Sequence, residues 1–273
     1  MKSLDLNQPN FSESLTKSLI YYLDAGFSLS GTTNTSGNLV KVAHPEYSDG
    51  QVWGTTKKNW SWTNPPVVYA NNTLLSSGYS INYKDGLIIF PSVKTSVFAS
   101  YSYKQLLILD GLDISFFRGD SSSSEVYNGS FRPNSVQLPF LAIELGGSSS
   151  QPFELGNYSR EVDQDILINV VTKDKQQCTL LSDILYNQID DTFNLFDYKQ
   201  SLMSGLIPLN DDGFLVNASG TYNNLCATYP FSASFQRSAR IDNTEKEPVR
   251  KLPNDLYHCT VRYEVSSLLK MSV

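Results

Sequence analysis

The stretch YSINYKDGLIIFPSVKTSVFASYSY, residues 79–103, contains the clearest local structural signal in this chain of 273 residues. Two strand-like runs meet at Lys84-Asp85-Gly86, and Asp-Gly is a preferred pair for a type I′ hairpin turn because both central residues need positive φ. The run SVFASYSY then alternates between two faces, as a strand does. The stretch predicts three consecutive antiparallel strands.

A hairpin of this kind can also pair with a second polypeptide, since exposed strands accept further strands along their edges. We therefore treat the residues of this hairpin and the following strand as candidates for a subunit interface. They are Tyr83, Asp85, Gly86, Ile88, Phe90, Tyr101 and Tyr103.

Upstream of the hairpin, residues 12–24 place leucines at helical spacing, at Leu15, Leu19 and Leu23. Asn10 with Glu13 resembles a capping box, and Gly26 is a natural stop signal. The pattern predicts a short amphipathic helix within residues 1–30 that packs on the C-terminal domain.

Residues 27–66 are rich in Gly, Ser, Thr and Asn, which indicates loops and short strands. Residues 31–105 are predicted to form a small β-rich inserted module that includes the hairpin. Its tryptophans, Trp53, Trp60 and Trp62, could form an aromatic platform for a sugar, because Trp60 and Trp62 have strand spacing. A place in the module's core, or as anchors of an interface, is the favoured interpretation of the same residues.

Downstream, residues 106–273 are predicted to form an α+β oligomerisation domain. LPFLAIELGG (138–147) is a strand-length apolar run that two glycines end, and DQDILINVVTKD (163–174) is a strand buried on both faces. Residues 178–196 have helical spacing, with a start near Thr179. LYHCTVRYEVSSLL (256–269) predicts a closing strand.

Composition narrows the function classes. Charged residues are only 18% of the chain, the net charge is −6, and no basic run occurs, so a sequence-wide electrostatic footprint for nucleic acid is absent. The first nine residues lack the apolar region of a signal peptide, and no apolar stretch reaches membrane-spanning length. Cys178, Cys226 and Cys259 lack metal-ligand spacing and are expected to be reduced thiols.

Catalytic signals are weak. Only two histidines occur, His44 and His258, and no nucleophile, phosphate-binding or metal-protease motif accompanies them. His258 and Cys259 are strand neighbours, so their side chains should point to opposite faces. The acidic pairs Asp163/Asp165, Asp190-Asp191 and Asp211-Asp212 are interpreted as solvated surface or turn residues. We predict a protein that is not an enzyme and needs no cofactor or metal.

Two segments resemble bacteriophage neck proteins. SINYKDGLIIF…SVFASYSY is similar to a hairpin module of phage structural proteins, and residues 138–196 resemble the strand–loop–strand–helix pattern of tail terminators. The resemblance implies an antiparallel β-sheet with packed helices, self-association into six- or twelve-fold rings, and neck, tail-tube or connector proteins as partners. It also implies a place in the virion after assembly in the host cytoplasm, with DNA only passing through a channel and no membrane contact.

Two hypotheses from different classes follow. The first is a structural virion protein of the phage neck, whose ring ends the tail tube or joins it to the head-side connector. The second is a carbohydrate- or receptor-binding β-module of a phage tail, which requires exposed indoles at Trp60 and Trp62.

Overall fold

The computed structural model describes residues 10–111, 137–153, 159–252 and 255–270, apart from the side chains of residues 28–30. Regular structure in these ranges consists mainly of strands, with few helices. The helices are α1 (Phe11–Gly31), α2 (Lys175–Tyr186), α3 (Tyr198–Met203) and α4 (Tyr222–Thr228). The strands are β1 (Thr32–Asn38), β2 (Val40–Lys41), β3 (Val52–Gly54), β4 (Val67–Ala70), β5 (Thr73–Leu75), β6 (Ser80–Asn82), β7 (Leu87–Ile89), β8 (Val97–Lys104), β9 (Leu107–Asp110), β10 (Phe140–Pro152), β11 (Ser159–Thr172), β12 (Thr192–Asn194), β13 (Ser238–Lys246), β14 (Arg250–Leu252) and β15 (Leu256–Lys270).

The strands form three sheets. The largest has the order β12-β13-β15-β11-β10-β9, and β14 pairs with β15 beside this path. All of its pairs are antiparallel except β9 with β10. Two four-stranded antiparallel sheets, β1-β8-β4-β5 and β2-β3-β7-β6, lie in the N-terminal half. The fold is therefore mixed α+β and mostly antiparallel.

Helix α1 begins where the sequence indicates, because the Asn10 side chain accepts a hydrogen bond from the Glu13 N–H at 3.5 Å. It does not end at Gly26, however, but continues to Gly31. One glycine costs only about 1 kcal/mol inside a helix, which burial of the leucine face can offset. Leu15 and Leu19 are completely buried in the main core.

The central strands of the large sheet have one face in this core. Ile166, Ile168 and Val170 of β11 pack there with Val261 and Tyr263 of β15. Strand β10 differs from the prediction, because it does not stop at the two glycines. A bulge between Leu145 and Ser148 absorbs them, and pairing with β11 continues as far as Pro152.

Helix α2 begins earlier and ends sooner than the sequence pattern predicts. Its N-cap is Asp174, whose carboxylate accepts hydrogen bonds from the N–H groups of Gln176 and Gln177. After Tyr186 the chain turns into the short strand β12, where Phe193 is buried. Phe193 therefore reaches the core from a strand rather than from the helix.

The predicted hairpin at Asp85-Gly86 is present as β6 and β7, but its turn is longer than a type I′ turn. Asn82 pairs with Leu87, so four residues form the connection, and only Gly86 among them has positive φ, at 67°. The Asn82 side chain accepts a hydrogen bond from the Asp85 N–H at 2.8 Å and holds the loop.

The third predicted strand, β8, does not join this hairpin. It pairs with β1 and β4 in the other small sheet, and the two sheets enclose a shared core. A local sequence pattern shows strands but not their partners, which explains the error.

A loop from the C-terminal half contacts the hairpin. The Tyr83 N–H donates to the Gly213 carbonyl at 2.9 Å, and Phe214 packs on a cluster that includes Leu87 and Ile89. A Cβ at Gly213 would lie 2.5 Å from the Asn82 side chain, so this close approach requires glycine.

Candidate assembly surface

The predicted hairpin interface lies inside the chain. Tyr83, Ile88, Phe90 and Tyr101 are between 0% and 7% exposed and belong to the module's core. Gly86 is buried as well, while Asp85 and Tyr103 are half-buried. Tyr83, Asp85, Gly86 and Ile88 belong to the hairpin as predicted, whereas Tyr101 and Tyr103 lie in β8. The prediction of a surface for another subunit is corrected for the buried residues, because they are packed inside the module. For Asp85 and Tyr103 it stays a prediction.

The tryptophans do not form an exposed platform. Trp53 is 5% exposed and Trp60 is 0% exposed, and the Trp60 ring stacks on Tyr101 with centroids 4.2 Å apart. Trp62 is half-buried, and the Lys104 ammonium lies 4.1 Å from its ring centroid. The favoured interpretation of Trp53 and Trp60 as core residues agrees with this burial, and the platform interpretation is wrong for them.

An exposed apolar patch lies elsewhere on the module, on the outer face of the sheet β1-β8-β4-β5. Phe98 of β8 is directly opposite Tyr69 of β4, which is opposite Leu74 of β5, and the two rings meet edge to face at 6.0 Å. Phe98, Leu74 and the neighbouring Val67 are 38%, 57% and 47% exposed. We call these four residues the outer patch. Sequence reasoning missed it because the patch depends on which strands are neighbours.

The residues with catalytic potential are held in structural contacts. His258 and Cys259 point to opposite faces of β15, as predicted: the His258 Nε2 lies 3.0 Å from the Asn169 Oδ1, whereas Cys259 is buried in the main core. Burial lowers the pKa of His258, which favours the neutral ring. Burial also raises the pKa of the Cys178 thiol to about 11, which makes it a poor nucleophile.

The acidic pairs occupy positions that differ partly from those predicted. Asp190 lies beyond the end of α2, in a turn with φ of 67°, and pairs with Arg240 at 2.6 Å. Asp211-Asp212 lies in the turn before Gly213, as expected. Asp163 and Asp165 lie within β11.

Asp165 belongs to an ionic cluster on the face of the large sheet opposite α1 and α2. The Arg262 guanidinium lies 3.0 Å from both Asp165 carboxylate oxygens and 3.2 Å from Glu245 and from Glu264. These carboxylates raise the pKa of Arg262, so it remains charged. The cluster borders a cavity of about 460 Å³ lined by Gly147, Ser148, Ser149, Asp163, Gln164, Asp165, Asp242, Glu264 and Val265. Among the described residues, no His, Cys, Asp and Glu group has the arrangement of a metal site.

The second half of β10 forms an arm beyond the core. From Leu145 to Pro152 every residue is exposed, so neither face of this segment is covered. On its inner side it pairs with β11, but β9 pairs with β10 only from Phe140 to Ile143. No described residue pairs with the outer edge of β10 from Leu145 onward. We call Leu145–Pro152 the arm.

Several predicted features fall outside the described residues. They are the start of the predicted α+β domain at residues 112–136, and residues 154–158 of the segment that resembles tail terminators. The arm itself gave a misleading signal in the sequence, because its two glycines resemble a strand end.

Comparison with known proteins does not extend these observations. The chain matches no protein-family model, and no curated protein matches it. Across the described ranges, no helix combines the length and apolarity needed to cross a membrane.

Proposed function

We propose that this chain is a structural virion protein of a tailed-bacteriophage neck, which self-associates into a ring that ends the tail tube or joins it to the head-side connector. The single observation that supports this most is the arm, an eight-residue strand segment exposed on both faces. A strand without a covered face contributes little to the stability of its own chain, because it buries no apolar surface. It is instead well placed to contact a second subunit.

A ring follows if the arm contacts a different surface on the neighbouring subunit. Contacts between two unlike surfaces are heterologous, and they continue from copy to copy until the rotation closes. Six or twelve subunits are the numbers that the resemblance to neck proteins implies.

The finer description of the fold, a tail-terminator-like sheet with packed helices, is part of the proposal. It is supported by the order of elements in the segment that resembles tail terminators: β10, β11 and then α2. Leu181 and Leu185 of α2 are buried in the same core as β11.

Electron microscopy of the purified full chain tests this function. Class averages are expected to show rings with a central opening and six- or twelve-fold symmetry. Particles that stay at the size of one or two subunits, over the full range of protein concentration, would refute the ring. Addition of the ring to tail tubes from the same phage should then change the tube ends, whereas tubes with bare ends would argue against the neck assignment.

A second candidate function, receptor or carbohydrate recognition by the β-module, is favoured by the outer patch. Aromatic and aliphatic side chains that are exposed together are typical of binding surfaces. If this function holds, Tyr69→Ala and Phe98→Ala should reduce binding of phage particles to host cells, while Trp60→Ala should reduce stability. Unchanged binding by both patch variants would eliminate it.

A further inference from the structure

The backbone of the arm has a defined outward edge. In antiparallel pairs, residues alternate between those that bond to the partner and those that point away from it. The Phe153 N–H donates to the Ser159 carbonyl at 3.2 Å, which sets the phase of this alternation. Ser148 and Ser150 therefore direct their N–H and C=O groups away from β11.

Contacts across the same sheet give the same phase independently. In this alternation Arg160 of β11 bonds away from the arm and toward β15. Leu269 of β15 is opposite Arg160, so Leu269 must bond toward β11. Its neighbours Leu268 and Lys270 must then bond away from β11. They do: Phe235 donates to the Leu268 carbonyl at 2.9 Å, and Lys270 donates to the Ala233 carbonyl at 2.7 Å.

Pro152 agrees with this assignment. It is opposite Arg160, at a position where an N–H would point to the outer edge, and proline has none to leave unpaired. The arm thus offers outward N–H groups at Ser148 and Ser150, and it has no charged side chain that would repel another strand.

A second open edge lies on the β-module, along β1. The Leu39 N–H donates to the Val97 carbonyl at 2.9 Å, so the alternation directs the backbone groups of Asn34, Ser36 and Asn38 away from β8. Within the described residues, β8 is the only strand that pairs with β1. Lysine, proline and charged side chains usually protect an edge strand from pairing with another chain. Strand β1 contains none of them.

We infer that the arm of one subunit pairs, backbone to backbone, with β1 of the next copy of this chain. The inference rests on the proposed ring and names its contact. Both edges are uncharged, and each presents outward groups at every second residue, so a strand pair can form without burying an ion. Pairing of the arm with another arm, or of β1 with another β1, would be symmetric and would stop at a dimer, whereas arm with β1 continues from copy to copy.

Proline substitutions test the contact, because proline removes an outward N–H without disturbing the inner hydrogen bonds. Ser150→Pro blocks the arm, and Ser36→Pro blocks β1. The matched controls, Ser150→Ala and Ser36→Ala, keep both backbones intact. Sedimentation velocity is measured for each variant alone and for the two proline variants mixed.

Each proline variant alone is expected to raise the concentration at which half of the subunits assemble by about tenfold or more, while the alanine variants assemble as the wild type does. The equimolar mixture should give heterodimers that grow no further, because one intact arm meets one intact β1. Heterodimer formation would also show that both proline variants are folded.

Three results would overturn the inference, and they differ in whether they also contradict the proposed ring. A wild-type ring that survives Ser150→Pro shows that the arm edge is not the contact, and the proposed function stands. A ring that is lost with Ser150→Pro but survives Ser36→Pro shows that β1 is not the occupant. A wild-type chain that remains monomeric would contradict both the inferred contact and the proposed ring.

Discussion

At the scale of single residues, Gly86 shows how one backbone conformation determines the packing of the β-module. A Cβ at Gly86 would lie 2.5 Å from the Lys57 carbonyl and 2.8 Å from the Trp60 Nε1, which donates to that same carbonyl. The residue also has a φ of 67°, which costs a non-glycine residue about 1–3 kcal/mol.

We expect Gly86→Ala to lower the free energy of unfolding by more than this backbone strain alone, because the indole of Trp60 must also move. Gly78→Ala is the matched control, since Gly78 has a φ of 84° but open space around it. Urea denaturation followed by tryptophan fluorescence measures both variants. Equal losses would show that the contact with Trp60 is unimportant.

His258 gives the protein a defined pH dependence. Burial lowers the pKa of His258 in the folded state and is the largest effect. Glu247 raises this pKa by a smaller amount, and Arg250 lowers it further. In the unfolded chain the pKa is about 6.5, so the unfolded state takes up a proton first as the pH falls. The contribution of His258 to stability is therefore complete above pH 6.5, decreases as the pH falls through 6.5, and levels off below the folded-state pKa.

Thermal unfolding between pH 7.5 and pH 5 checks this expectation. His258→Gln removes the titrating group but retains an amide that can hydrogen-bond to Asn169, so its profile should be flatter than that of the wild type. An identical pH dependence in the two proteins would assign the effect to other groups.

At the scale of elements, helix α1 packs on the main core. Leu19 is completely buried there, and Leu19→Ala should lower the free energy of unfolding by about 2–5 kcal/mol. Leu180 of α2 is 59% exposed, so Leu180→Ala serves as a control with an expected change within about 0.5 kcal/mol. Similar losses in the two variants, measured by urea denaturation, would contradict the packing described for α1.

The sequence predicted the elements better than their neighbours. The helix start at Asn10, the hairpin at Gly86 and the closing strand β15 depend on residues close in the chain, and each is present. The partners of β8 and the continuation of β10 through Gly146-Gly147 depend on long-range pairing, which local periodicity does not contain.

The candidate surface was harder to predict than the fold for the same reason. Tyr83 and Trp60 have the residue types of interface anchors, yet both are buried within the module. The arm, in contrast, consists largely of glycine, serine and glutamine, which give no sequence signal for binding. Its proposed role in strand pairing depends on backbone groups, and the direction of these groups becomes visible only once the register of β10 and β11 is known.

At the scale of the whole molecule, contacts between distant segments hold the three described sheets together. They include the loop at Gly213 and the ion pair of Lys104 with Asp24 at 2.5 Å. The arm and β1 belong to different sheets, so a contact between them in neighbouring copies would connect the large sheet of one subunit to the β-module of the next. Such an arrangement uses both halves of the chain in a single assembly.

Light scattering coupled to size-exclusion chromatography, over a series of protein concentrations, tests the central claim of self-association most directly. The account predicts a discrete species of about six or twelve times the 30.5 kDa chain mass, which Ser150→Pro dissociates and Ser150→Ala does not. A wild-type mass of one chain at every concentration would contradict it.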